Sequence, residues 1–238
     1  MNILCIGNSF SQDATRYLHD IARKRGLHID VANLFIGGCS LETHYRNMLS
    51  GEAAYELQYN GHPTGFRVSL RQALLNRKWD AVTLQQASHL SFLDGSYQPY
   101  ADALAEFVRS IQPNTCLTVH QTWAYEDGSD RLRDVAGFRT SKEMLDEVVK
   151  CYHAMDHSID ADCFIPSGQL LGKLLESGIE KVHRDAFHAS LGLGRYALAL
   201  LWLRMLTAQE AADDDFSDLD EPATPRELAI VRRCVDEF

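Results

Sequence analysis

One feature constrains this chain more than any other. Short apolar runs alternate with longer segments whose apolar residues recur at helical spacing. The runs are Asn2 to Ile6, about His28 to Leu34, Ala81 to Leu84, Cys116 to Val119 and Ala161 to Ile165. Between them, helices are predicted over about Phe10 to Arg25, Pro99 to Ile111 and Ser141 to Ser158. The first of these carries Leu18, Ile21 and Ala22 along one face, and Gly26 ends it. Strands that alternate with helices build a parallel sheet covered on both faces. The right-handed crossover rule then points to a three-layer α/β/α sandwich, flavodoxin-like, with about five parallel strands.

Length and composition agree with one such unit. The 238 residues are 45% hydrophobic and 24% charged, enough to bury a core without staples. A single domain over 1–238 is expected. An elaboration at about 41–78 carries the turn signals Asn60-Gly61 and Pro63-Thr64-Gly65 and is read as helical from Leu41 to Leu49. The run Arg195 to Arg204 is apolar on every side but too short to span a bilayer, which predicts a buried helix.

Charge and cysteine usage narrow the partners. The net charge of −10 argues against nucleic acid or an anionic membrane surface. Part of it sits at about 209–221, where Glu210, Asp213, Asp214, Asp215, Asp218, Asp220 and Glu221 meet no Lys or Arg. A solvated acidic loop is expected there, since the stretch lacks the glycine turn and ligand spacing of a calcium loop. The six cysteines form no C-x-x-C pair and read as free thiols, and no leader precedes the first strand. Together these point to a cytoplasmic protein.

In a parallel sheet, ligands bind beyond the carboxyl ends of the strands. Four polar segments fall there. Gly7-Asn8-Ser9-Phe10-Ser11 leaves the first strand and enters a helix, so Ser9 either caps that helix, in a box with Gln12, or attacks a substrate at its positive end. Ile36-Gly37-Gly38-Cys39-Ser40 lets the backbone come close to a ligand and aim an N–H at developing negative charge. Gln85-Gln86 ends the third strand and offers side-chain amides. His120-Gln121-Thr122-Trp123-Ala124-Tyr125 ends the fourth, with two rings able to stack on a sugar. Near the other end of the chain, Asp185 and His188 stand three apart just before the apolar helix. Such a pair suits a base with its orienting acceptor, or a surface pair. With His183 it matches no zinc signature, so no metal is expected.

Three readings compete. An α/β-hydrolase elbow needs a glycine where Ser11 stands. A flavodoxin-like phosphate-binding module would use Asn8, Ser9 and Ser11, but there is no Walker lysine and Asp185 and His188 are left without a role. The third follows from chain order: Gly7-Asn8-Ser9-Phe10, then Gly38, then Asp185-x-x-His188 resemble the SGNH (GDSL-type) hydrolase superfamily. The run Arg184 to Gly192 is similar to its sugar-ester deacetylase branches. The resemblance implies a Ser9–His188–Asp185 triad and an oxyanion hole from the Ser9 and Gly38 amides. In place of the family's Gly-x-Asn-Asp block this chain has Gln85-Gln86, so Gln85 is expected as the side-chain donor, with Gln86 as its substitute. Asn8 stands where many members carry Asp. Asn8, Trp123 and Tyr125 are the expected substrate contacts. The implied activity is a cofactor-free serine esterase that removes a small acyl group, acetyl by preference, from a small-molecule or carbohydrate ester. A non-catalytic carbohydrate-binding relative of the same fold is the alternative.

Overall fold

The computed structural model describes residues 1–238. In chain order the elements are β1 (Asn2–Gly7), α1 (Ser9–Thr15), α2 (Leu18–Lys24), β2 (Asp30–Phe35), α3 (Leu41–Ser50), β3 (Tyr55–Tyr59), β4 (His62–Val68), α4 (Leu70–Asn76) and β5 (Ala81–Leu84). Then follow α5 (Tyr100–Ile111), β6 (Cys116–His120), α6 (Ser141–Ser158), β7 (Cys163–Ile165), α7 (Ser167–Glu176), α8 (Leu193–Thr207) and α9 (Pro225–Asp236).

The sheet has seven strands in the order β4-β3-β2-β1-β5-β6-β7. The five expected strands form its parallel core. The other two, β3 and β4, add an antiparallel edge beyond β2. The expected central parallel sheet of about five strands is thus extended to seven, and the cause is local. Asn60 and Gly61 both take positive φ, 49° and 82°, which is what a two-residue hairpin turn requires. The elaboration is therefore α3, this hairpin and α4.

Burial on both faces follows from strand periodicity. Along β1, Ile3 and Cys5 enter one core, while Leu4 and Ile6 enter the other. The first core is covered by α1, α2, α7, α8 and α9, the second by α3 to α6. Helix α8 is buried in the first core from Leu193 to Leu203, Arg195 excepted, as its all-round apolarity predicts.

Two expectations are corrected. The first helix is not continuous. It breaks at Arg16-Tyr17, where Thr15 Oγ1 donates back to the Ser11 carbonyl (2.8 Å) and the Tyr17 hydroxyl is drawn to the Leu191 carbonyl (2.5 Å). The acidic stretch is not simply solvated. Asp214 is buried and accepts from the Tyr196 hydroxyl (2.9 Å), and Asp220 pairs with Arg16 (2.8 Å) and Arg195 (2.9 Å). Its partners come from distant helices, which local composition does not reveal.

Candidate active site

The carboxyl ends of β1, β2 and β5 meet the Arg184–Gly192 segment at one edge of the sheet. There, Ser9 Oγ lies 2.9 Å from His188 Nε2, and His188 Nδ1 lies 2.9 Å from Asp185 Oδ2. A bond from Nδ1–H to the carboxylate leaves Nε2 free to accept the Ser9 proton.

Local chemistry places each of the three. Ser9 is the first residue of α1, and the cap is Asn8 rather than Ser9 or Ser11: Asn8 Oδ1 accepts from the Phe10 amide (2.9 Å). Ser11 closes the box from the other side, accepting from the Asn8 amide (3.1 Å). Ser9 is thereby released from capping. Gly7 makes the turn possible, because a Cβ there would stand 2.3 Å from Ser11 Oγ. At the other wall, Asp185 Oδ1 accepts from the backbone amides of Phe187 (3.0 Å) and His188 (2.7 Å), folding the segment into a tight turn that faces the imidazole toward Oδ2. Burial pushes the Asp185 carboxyl upward. The His188 amide and imidazole and the Phe187 amide outweigh it and hold the carboxyl at about 2.

A buried clamp fixes the distance between the two walls. Asp13, on α1 and 0% exposed, accepts two bonds from Arg184 (2.8 and 2.9 Å), one from Arg195 (2.9 Å) and one from the Ala189 amide (3.2 Å). The arginines and Ala189 flank His188 in sequence, so one carboxylate holds the helix that starts at Ser9 against the turn that carries His188.

The second loop supplies a donor. Gly38 has φ of +64°, the left-handed region that favours glycine. Its N–H and that of Ser9 find no acceptor within the protein. Both residues line an open pocket of about 400 Å³ that His188 also faces.

Five expected site residues take other roles. Gln85 Nε2 donates to Asn8 Oδ1 (2.7 Å), and Gln85 Oε1 pairs with His120 Nδ1 (2.8 Å). Gln86 Oε1 accepts from the Leu41 and Ala87 amides (3.0 and 2.8 Å), and its Nε2 donates to Ser96. Both side chains are fully buried, donate within the protein and do not line the pocket, so neither is placed as an oxyanion donor. Asn8 is 1% exposed with all its side-chain groups bonded, which makes it a brace rather than a substrate contact. Trp123 and Tyr125 are 1% and 0% exposed, so no sugar ring stacks on them. Trp123 stacks on Phe10 at 4.1 Å and donates to the Phe187 carbonyl, while the Tyr125 hydroxyl meets Ser88 Oγ at 3.1 Å. They hold the pocket wall from behind.

Beneath Ser9 runs a polar chain that no local pattern announces. Asn8, Gln85, His120 and Ser167 are joined in sequence, the last link being His120 Nε2 to Ser167 Oγ at 3.1 Å. His120 is fully buried, which holds its imidazole down at about 3, so it stays neutral. Its Nδ1–H therefore donates to Gln85 and its Nε2 accepts from Ser167. A second chain runs from Ser11 to Asn33 (2.7 Å) and on to Gln58 (3.0 Å). With Ser11 and Asn8 bonded internally, a phosphate cradle at this loop would be left with little beyond the Ser9 amide. No group of His, Cys, Asp and Glu side chains is arranged to hold a metal, and His183 spends Nε2 on the Ala124 carbonyl (3.0 Å). No helix is long and apolar enough to cross a membrane.

The architecture is that of the SGNH hydrolases. A putative SGNH hydrolase from Slackia heliotrinireducens superposes with a TM-score of 0.63 at 20% identity, covering 87% of this chain and 98% of that one. An acetylxylan esterase from Geobacillus stearothermophilus, as a catalytic mutant, superposes with a TM-score of 0.55 at 14% identity, covering 87% and 94%. A DUF4886 family protein from Bacteroides uniformis is much more similar, with a TM-score of 0.91 and 30% identity over 100% of this chain and 93% of that one. No curated protein matches the sequence. The sequence profile of the family described as "Domain of unknown function (DUF4886)" matches residues 2–232, and the chain belongs to that family.

Proposed function

We propose that this protein is a serine esterase that removes a short acyl group, acetyl by preference, from a polar, sugar-like alcohol. The observation that carries the reading is the continuous Ser9–His188–Asp185 hydrogen-bond line, 2.9 Å at each step, opening into a solvent-accessible pocket. His188 accepts the Ser9 proton as Oγ bonds to the ester carbonyl carbon. The Ser9 and Gly38 amides hold the resulting oxyanion. The alcohol leaves with the proton from His188, and water, deprotonated by His188 in turn, releases the acid. Asp185 keeps the tautomer and stabilises the imidazolium between steps.

The short acyl group and polar alcohol rest on the pocket. Only Phe10, Phe35 and Phe187 among its eleven lining residues are hydrophobic, too little apolar wall for a long chain. That a protein of similar architecture is an acetylxylan esterase agrees with this choice. The test is hydrolysis of p-nitrophenyl acetate together with labelling by a fluorophosphonate probe. The wild-type protein should do both and Ser9→Ala neither. Wild-type rates and labelling in Ser9→Ala would sink the reading.

A further inference from the structure

We infer that the pocket recognises a carboxylate on its substrate, and that Arg131 is the residue that binds it. Arg131 opens a π-helical turn, Arg131–Ala136, in the connection between β6 and α6, and it lines the same pocket as Ser9, Gly38 and His188. Its guanidinium lies 3.8 Å from the centre of the Phe187 ring, which in turn packs at 3.9 Å on His188. The cation is thus carried on the wall that carries the general base.

The Arg131 side chain lines this pocket without a hydrogen-bonding or ion-pair partner. The protein has 33 acidic side chains against 23 Lys and Arg, so carboxylates are plentiful. Two residues further along the same turn, Arg133 takes both local ones, Asp130 (2.7 Å) and Asp134 (2.8 Å). Arg184 and Arg195 are held by Asp13. Arg131 meets no carboxylate, and its Nε is buried with no acceptor. Stacking on Phe187 accounts for the plane of the guanidinium but not for its edge, where five N–H groups lie in a fork that matches a carboxylate. His89 faces the same pocket. Burial and the Arg131 charge both hold its imidazole below the usual value, so at neutral pH it offers an N–H without adding repulsion. A pocket of about 400 Å³ places this fork and the serine within the span of one small molecule.

The inference rests on the esterase reading for its chemistry, and the experiment separates the two. Initial rates are measured on 3-acetoxybenzoate and its methyl ester, which puts the carboxylate on the alcohol side. Mono-4-nitrophenyl succinate and 4-nitrophenyl butyrate put it on the acyl side. The wild-type protein should prefer the charged member of one pair. In Arg131→Gln the charged-to-neutral ratio of kcat/KM should fall about tenfold or more, and Arg131→Lys should recover part of it. Arg133→Gln, an equal change in net charge, should leave the ratio as it was. The pair that responds tells which side carries the anion. An unchanged ratio in Arg131→Gln for both pairs overturns the inference. If no ester is hydrolysed, calorimetric titration of Ser9→Ala with 3-hydroxybenzoate decides instead. Binding weakened about tenfold by adding Arg131→Gln keeps the anion site while refuting the esterase; binding that ignores Arg131 refutes the anion site.

Discussion

Asn8 Nδ2 donates to the Cys39 carbonyl across 3.0 Å, and this one bond ties the loop that carries Ser9 to the loop that presents Gly38. The same side chain accepts from Phe10 and Gln85 through Oδ1. The position therefore needs a donor and an acceptor at once, which asparagine supplies and aspartate does not. Asn8→Asp would set a buried carboxylate oxygen against a carbonyl oxygen. We expect it to lose about 1–3 kcal/mol of stability by denaturant titration and to cut kcat on p-nitrophenyl acetate more than tenfold. A variant with wild-type kcat would show that the bridge between the loops is dispensable.

Asp13 is the second cross-link, and it is buried more deeply than Ser9, His188 and Asp185, which it holds in place. Removing it leaves Arg184 and Arg195, with side chains only 25% and 12% exposed, facing an empty site. Asp13→Ala should cost about 3–5 kcal/mol of folding stability. Asp13→Asn keeps the shape and part of the bonding, so it should fold and still lose kcat, because the clamp sets the Ser9–His188 distance. Equal activity for Asp13→Asn and wild type, at matched folded fractions, would show that the clamp serves stability alone.

His44 and His120 make the fold sensitive to acid. Burial holds both imidazoles at about 3. Each binds a proton in the unfolded chain near pH 6.5 but not in the folded one. The stability they contribute is therefore complete above pH about 6.5 and drains as pH falls toward 3, on the order of 1.4 kcal/mol per pH unit for each. Denaturant melts between pH 6.5 and 4.5 should show this slope, and His120→Gln should flatten it by the share of one proton. A slope unchanged in that variant would mean His120 is already charged in the native state. Asp185 behaves differently. Its carboxyl is held at about 2, so its charge persists throughout this window.

The sequence announces what is local and hides what is long-range. The parallel core was legible because β1, β2, β5, β6 and β7 are apolar runs bounded by breakers, and the Asp185-x-x-His188 turn because one side chain caps its own segment. The hairpin of β3 and β4 was not. Their alternation is weak, since β4 at the sheet edge is mostly exposed, and only the Asn60-Gly61 turn marked it. Helix α9, outside the expected elements, carries a complete start signal in Thr224, Pro225 and Glu227. The roles of Gln85 and Gln86 could not be read locally, because their partners, His120, Asn8, Leu41 and Ser96, lie on other elements and loops far away in sequence or across the fold. Arg131 gave no signal at all: its meaning comes from a carboxylate that its neighbours take.

Gly7 and Gly38, the two glycines that frame Ser9, should fail in different ways when substituted. At Gly7 an added Cβ would fall 2.3 Å from Ser11 Oγ and 3.1 Å from Gln85 Oε1, so Gly7→Ala must displace the residues that hold Asn8. Both folding and activity should suffer, with at least 1–3 kcal/mol lost, the usual range for overpacking. At Gly38 the space beside the backbone is open and only the φ of +64° opposes a side chain. Gly38→Ala should therefore cost only about 1–2 kcal/mol of stability while its loop relaxes and turns the N–H away from the oxyanion position. Its kcat/KM should fall about 10²–10³-fold, roughly 2.7–4 kcal/mol, while the melting temperature drops only a few degrees. The discriminating measurement is the ratio of activity lost to stability lost. It should be large for Gly38→Ala and near unity, on a free-energy scale, for Gly7→Ala. A Gly38→Ala protein with full activity would remove Gly38 from the proposed oxyanion hole.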